Sequence, residues 1–298
     1  MVVTCYGFRG VGSQIDRIEE GFRALGHEVT SDVGLADLVY CNDSGSFGQV
    51  IDAKARGTIR GKVVFNQLDL APHLGAAFPL ALIREQLTHA DAVTTISQTV
   101  ARDIKARLGI DATVIYNPIR AVTRARGVRL YKGLFVGRVQ DHEKRAVIGA
   151  AALSILGYGW DDMVTVGREL PPYGGQYYGE ATDAELSGFY NTCDYLICPT
   201  RNAFLGPPIL EAMACGCIPV VCRDLDILDE FLPATLFPEY REVEPTAPSI
   251  ARFIARYQGD ISRAEMSDRL YNHYARTWAG ALSPAGVASA IERVYRSL

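Results

Sequence analysis

The residues best placed for chemistry lie in CDYLICPTRNAFLGPPILEAMACGCIPVV, residues 193–221. YLICP is a short apolar strand, TRNAFLG a polar loop, ILEAMA a helix and IPVV the next strand. Pro207 and Pro208 open the helix, where proline costs least because the first amides have no intrahelical partner. A helix N-terminus that follows the carboxyl end of a parallel strand is an anion site. Gly206 stands at its mouth and lets a phosphate approach the backbone. The prolines supply no N–H, so Ile209 and Leu210 are the amides expected to face the anion. One carboxylate, Glu211, sits about a turn inside.

The elements that must position this stretch follow from the rest of the chain. Its 298 residues suffice for two domains of ordinary size. With 48% hydrophobic and 21% charged residues the composition is that of a globular protein with a substantial core. A net charge of −4 gives no global electrostatic reason to bind nucleic acid or an anionic membrane. MVVTCYGF lacks a basic leader and runs straight into a strand pattern, so no signal peptide is expected. No apolar run is long enough to span a membrane. The seven cysteines are odd in number, and Cys5, Cys41, Cys198 and Cys222 stand in apolar contexts. That suits free buried thiols in a reducing cytoplasm. Cys215 and Cys217 are separated by one residue, which is no zinc-ligand spacing, and no metal site is expected.

Strands alternate with helices from the start. VVTCYGF is a strand and RGVGSQ a glycine-rich turn. In IDRIEEGFRALG, Ile15, Ile18, Phe22 and Leu25 recur at a helical period, with Gly26 as the stop. HEVT, ADLVYCND, KVVFNQLD, ADAVTTIS and ATVIYNPI read as strands separated by helices. The pattern is an α/β domain with a parallel sheet. RAVTRARGVRLYK then breaks it with five basic residues, Arg120, Arg124, Arg126, Arg129 and Lys132, and no acid. It reads as an interdomain linker, either solvated or a basic patch facing a phosphate-bearing acceptor. A second α/β run follows. It contains the strands YKGLFVGRV and MVTVGRE, an irregular loop PPYGGQYYGEAT, and a helix AELSGFYNT with Asp183 as its expected N-cap. Two helices, PSIARFIARYQ and an amphipathic one from Pro284 to Leu298, close the chain.

The second run resembles the C-terminal domain of family 4 glycosyltransferases (glycosyl transferases group 1), retaining enzymes of the GT-B fold. LFVGRVQDHEK, TVGRE, GEATDAELSGFYNTCDYLICPTR and GPPILEAMACGCIPVV match in order. GVGSQIDRIEEGFRALGHEV and ADAVTTISQTVARDIKARLGIDATVIYNPI match the first domain more loosely, and that domain is shorter than usual for the family. The resemblance implies two Rossmann-like domains with parallel sheets facing across a cleft. Residues 1–123 form the acceptor side, 124–283 bind the nucleotide sugar, and 284–298 return to the first domain.

It also implies site residues. Arg138 and Lys144 occupy the cation positions that meet a departing diphosphate, so charge is neutralised without metal. Arg suits a phosphate fork and Lys a point charge. Glu211 matches the carboxylate that holds the ribose hydroxyls; a helix-terminal Glu favoured by the dipole is compatible with it, and the ligand role is the favoured one. Gly10 and Gly12 match the loop that closes over the donor phosphate. Tyr177 and Tyr178 stand near the base position, either stacking on it or packing in the core. Where the family has a histidine after the fourth strand, this chain has Asn66 or Gln67, with Asp69 and His73 nearby; Asp69 is the candidate base or acceptor-hydroxyl contact. Asn42, Asp43 and Ser44 end the third strand, as cleft residues or as ordinary caps. One departure matters: the family glutamate eight residues before Glu211 is Ala203 here, beside Asn202.

The reading is a nucleotide-sugar-dependent glycosyltransferase with no cofactor, its donor UDP- or GDP-linked. The acceptor is a hydroxyl on a glycan, lipid-linked or small molecule. Two other readings stand beside it: a bacteriophage-type enzyme acting on a hydroxymethylated base in DNA, suggested by the short first domain and basic linker, and a nucleotide-sugar-binding protein without transferase activity, suggested by Ala203.

Overall fold

The structure, a computed structural model, describes residues 1–7, 14–42, 44–68, 80–120, 122–125, 127–140, 142–201 and 207–298, with the side chains of 44–46 excepted. The chain divides into two units, Met1–Ile119 with Ala281–Leu298, and Arg120–Gly280.

In the first unit the order is β1 (Val2–Tyr6), α1 (Gln14–Ala24), β2 (Glu28–Val29), β3 (Leu38–Cys41), α2 (Ser44–Ala55), β4 (Lys62–Gln67), α3 (Leu80–Leu87), β5 (Ala92–Thr95), α4 (Gln98–Leu108) and β6 (Thr113–Val114). All pairings are parallel, in the order β2-β1-β3-β4-β5-β6. Both faces are buried, so β3 reads LVYC without a polar residue. Val39 and Cys41 join Phe47, Ile83 and Ile104 of α2–α4 on one face. Leu38 and Tyr40 join Ile15, Ile18 and Phe22 of α1 on the other. The period of two in the strand and of 3.6 in the helix thus select the same core. Ser97 caps α4, accepting from the Val100 amide at 3.1 Å, and Gly109 ends it in the left-handed conformation.

In the second unit the order is β7 (Tyr131–Val136), α5 (Ala146–Ile155), β8 (Met163–Val166), β9 (Gln176–Gly179), α6 (Asp183–Thr192), β10 (Cys193–Ile197), α7 (Pro207–Cys215), β11 (Ile218–Val220), α8 (Leu228–Phe231), α9 (Ala247–Arg256) and α10 (Asp260–Thr277). The parallel sheet runs β11-β10-β7-β8-β9. The final helix, α11 (Pro284–Arg296), packs on α1 of the first unit and buries Val287, Ala288 and Ile291. An added Cβ at Gly21 on α1 would lie 2.0 Å from the Pro284 carbonyl oxygen, so the two backbones meet where only glycine fits. His27 reaches Glu292 of α11 at 3.3 Å.

Several expectations are corrected. The stretch read as an irregular loop contains β9, an exposed edge strand paired to β8. Thr182, not Asp183, is the N-cap of α6; it forms a capping box with Glu185, and Asp183 is the first helical residue. Three helices rather than two end the chain, because α10 intervenes. It buries little more than Met266, Ser267 and Leu270, so its apolar stripe is too narrow to stand out. Cys198 is half-buried, whereas the other six cysteines are buried; none of the seven is in a disulfide.

The basic stretch exposes Thr123, Ala125, Gly127, Val128 and Leu130, as a connector does, but three of its basic side chains are tied into the second unit. Arg124 donates to Asp268 at 2.6 Å, and Lys132 to the buried Asp194 at 2.9 Å. Arg129 donates to the carbonyls of Tyr190, Cys193 and Gly216 at 2.8, 2.6 and 3.1 Å. Its guanidinium thus satisfies chain carbonyls at the ends of α6 and α7, where the helix dipoles favour a cation. Arg126 lies outside the described residues. Among the described residues no helix is long and apolar enough to cross a membrane.

Candidate functional site

In an open parallel sheet, ligands bind beyond the carboxyl ends of the strands, where the strand order reverses. In the second unit that point lies between β7 and β10. The segment after β7 carries Arg138 and Lys144, and the one after β10 leads into α7. The two are tied directly: the Arg201 amide donates to the Glu143 carbonyl at 3.1 Å.

The exit of β7 is built on close backbone contact. Gly137 has φ 136°, and its amide donates to Val166 at the end of β8 at 2.9 Å. A Cβ on Gly167 would lie 2.2 Å from the Gly137 oxygen, so both positions need glycine. Arg138 comes next and is exposed. The Gln140 amide donates to Glu169 at 2.9 Å. A 3₁₀ turn, His142–Lys144, then presents Lys144 half-buried. Desolvation raises the Cys198 thiol at the exit of β10, and the Lys144 charge opposes that rise. No group of three or more His, Cys, Asp or Glu residues among the described residues could hold a metal ion.

Helix α7 begins at Pro207 as expected. The amides without an intrahelical partner are those up to the third helical residue. With prolines first and second, Ile209 alone offers such an amide within the helix. Leu210 is the fourth residue of the helix. Glu211 is 1% exposed. Its Oε2 accepts from the Tyr190 hydroxyl at 2.9 Å, and its Oε1 lies 3.3 Å from Nε of Arg120. Arg120 also reaches Asp183 at 3.1 Å. Burial, then the Glu211 charge, push the Tyr190 hydroxyl far up, so it stays protonated and donates. The Arg120 amide lies 3.4 Å from the same Glu211 Oε1, so the carboxylate is engaged within the second unit at both oxygens.

Tyr178 is exposed on β9 rather than packed in the core. Its ring stands edge-on to Phe189, centroids 4.8 Å apart, and its hydroxyl donates to Glu185 at 2.5 Å. The ring is therefore held in place with much of its surface open.

In the first unit, Asn66 and Gln67 end β4 and both are buried. Asn66 donates to Asn42 at 2.5 Å and accepts from Thr94 at 3.0 Å, a polar chain across β3, β4 and β5. Asn42 is thus a member of that chain rather than an open cleft residue, and Ser44 begins α2. Gly10, Gly12, Asp43, Asp69, His73, Asn202, Ala203 and Gly206 lie outside the described residues.

No protein-family model matches the sequence, and no curated protein sequence does. Solved structures do match. A sucrose-phosphate synthase from Thermosynechococcus elongatus is 14% identical with a TM-score of 0.75, over 99% of this chain and 98% of that one. HepE (Alr3699) of Anabaena, in complex with UDP and glucose, is 15% identical with a TM-score of 0.74, over 100% and 99%. The T4 phage protein BGT, in complex with UDP and Mn2+, is 13% identical with a TM-score of 0.63, over 99% of each. Both units take part in these matches. The chain has the GT-B fold. Two residues of this GT-B chain that touch Glu211 escaped the sequence reading: Arg120 and Tyr190. Arg120 stood out only as one of five basic residues. Tyr190 carries no local signal, since its partner is distant in sequence.

Proposed function

We propose that the protein transfers a sugar from a nucleoside-diphosphate sugar, UDP- or GDP-linked, to a hydroxyl acceptor, with retention and without a required metal. The observation that carries this reading is the meeting of two segments at the switch point of the second unit. One bears Arg138 and Lys144; the other leads to the N-terminus of α7. As the bond from the sugar C1 to the diphosphate oxygen breaks, negative charge grows on the leaving group. Arg138, Lys144 and the Ile209 amide are the groups that would stabilise it. The acceptor oxygen forms its bond to C1 on the same face, and its proton passes to the departing phosphate oxygen. Glu211 would take the ribose hydroxyls, Tyr178 the base, and Gly10, Gly12 and Gly206 would pass close to the phosphates. Asp69 is proposed as an acceptor contact. The nucleotide-bound neighbours support a donor of this class.

The test is a thermal-shift panel of UDP, GDP, ADP, CMP and their sugar conjugates, with and without Mg2+ or Mn2+. Native-state binding raises the midpoint by mass action. A shift with one nucleotide that needs no metal, lost in Arg138→Ala, is the expected result. No shift with any of them would end the transferase reading. Donor binding without turnover on glycan, lipid-linked, small-molecule or hydroxymethylated-DNA acceptors would leave a binding protein. Of the two arguments for a DNA acceptor, the short first domain is untouched, and the basic linker is weakened because Arg120, Arg124, Arg129 and Lys132 are engaged within the second unit. Retention is read from the anomeric configuration of the product by NMR.

A further inference from the structure

Among the described residues Arg145 alone has a positive φ without being glycine, at 50°. A non-glycine residue holds that conformation only where its surroundings over-determine it. Here the surroundings are specific. Arg145 follows Lys144 directly and stands at the N-cap of α5. Its Nη1 and Nη2 donate to Oδ1 and Oδ2 of Asp224 at 3.0 and 2.7 Å, a two-pronged pair. Nη1 also lies 3.4 Å from the Pro199 carbonyl at the exit of β10. The side chain is 17% exposed. With both terminal nitrogens on Asp224, the guanidinium is committed to protein rather than to a ligand.

We infer that Arg145 is a positioning residue of the donor site: its side chain, forked onto Asp224 and braced on Pro199, holds the left-handed turn that aims Lys144 at the switch point. The inference rests on the donor-site reading above. A backbone turn set one residue from a charge-bearing side chain fixes where that charge sits, and misplacement of about 1 Å is enough to cost a large factor in a positioned site. The fork needs a planar guanidinium, so lysine does not replace it.

The test uses the full chain and three variants, Arg145→Gly, Asp224→Asn and the double substitution, with Arg145→Lys as a fourth for affinity alone. Glycine takes the positive φ freely, so Arg145→Gly relieves strain while it removes the fork. These effects oppose each other in stability, and the melting temperature is expected to move only a few degrees. Positioning has no such compensation. Calorimetric titration with UDP and with GDP is expected to show binding weakened by roughly tenfold in each single variant, and no further loss in the double, because both changes remove one interaction. Hydrogen exchange in the 137–145 segment should rise in all three. Wild-type binding with unchanged affinity in Arg145→Gly would overturn the inference. So would unchanged exchange in that segment. If the wild type binds neither nucleotide but exchange still rises, the strap stands and the transferase reading falls. Arg145→Lys separates charge from geometry: recovery of wild-type affinity by lysine would overturn the role given to the fork.

Discussion

At the scale of the residue, basic side chains of the second unit do two kinds of work, and substitution should separate them. Arg138 is exposed and Lys144 half-exposed on one short segment beyond β7. Removing either, as Arg138→Ala or Lys144→Ala, is expected to leave the melting temperature near that of the wild type. The same changes should lower turnover by about 10²-fold, the usual cost of deleting one preorganised charge-stabilising group. Steady-state kinetics on the donor identified by thermal shift would check this. Arg129 should behave in the opposite way. Its three carbonyl partners belong to the ends of α6 and α7. Arg129→Ala leaves them without a charged donor, at a cost of about 2–4 kcal/mol, since hydrogen bonds to charged groups contribute about 1.5–3 kcal/mol each and the loss is shared. Urea unfolding would show this as a lower midpoint with nucleotide affinity intact. A phosphate-binding Arg129 would give the reverse pattern.

At the scale of the element, two contacts set how helices are held. An added methyl at Gly21 meets the Pro284 backbone, which has no flexible end to swing away. Overpacking costs about 1–3 kcal/mol, against roughly 1 kcal/mol that alanine gains over glycine inside a helix. Gly21→Ala is therefore expected to destabilise the first unit, which a lower melting temperature would register. The second contact joins β9 to α6. Hydrogen bonds from the Tyr178 hydroxyl, then from the hydroxyl and amide of Thr182, hold the Glu185 carboxyl down to about 2 from its ordinary 4.5. A carboxyl depressed by folding adds stability above its unfolded value and loses it as pH falls toward the folded one. The β9–α6 tether should loosen between about pH 4.5 and 2, and Glu185→Gln should flatten that part of the stability profile. The same elements mark what the sequence could disclose. The Ile15–Ile18–Phe22 period announced α1, and the prolines announced α7, because each signal is local. Helix α10 stayed hidden because its apolar stripe is narrow and ion pairs, Arg263 to Asp194 and Arg124 to Asp268, share in anchoring it. Strand β9 stayed hidden because an edge exposed on both faces needs no alternation. The cation positions came from the family resemblance, and the Arg120–Glu211–Tyr190 clamp, closed only by tertiary contact, had no local signal at all.

At the scale of the whole molecule, the first unit is discontinuous: Met1–Ile119 is completed by Ala281–Leu298. The face of its sheet that carries Val3, Leu38 and Tyr40 is finished by Val287, Ala288 and Ile291 of α11. During synthesis that face is made early and its last cover is made after the entire second unit. At about 5–20 residues per second the interval is on the order of ten to thirty seconds. For that time a nascent chain carries an apolar groove over α1 that water must wet or another protein must shield. A version stopped after Leu282 is expected to collect in the insoluble fraction, and a separate peptide spanning 283–298, supplied in trans, to bring part of it back into solution. The place in the chain where one short amphipathic helix is encoded thus sets when the first unit can close.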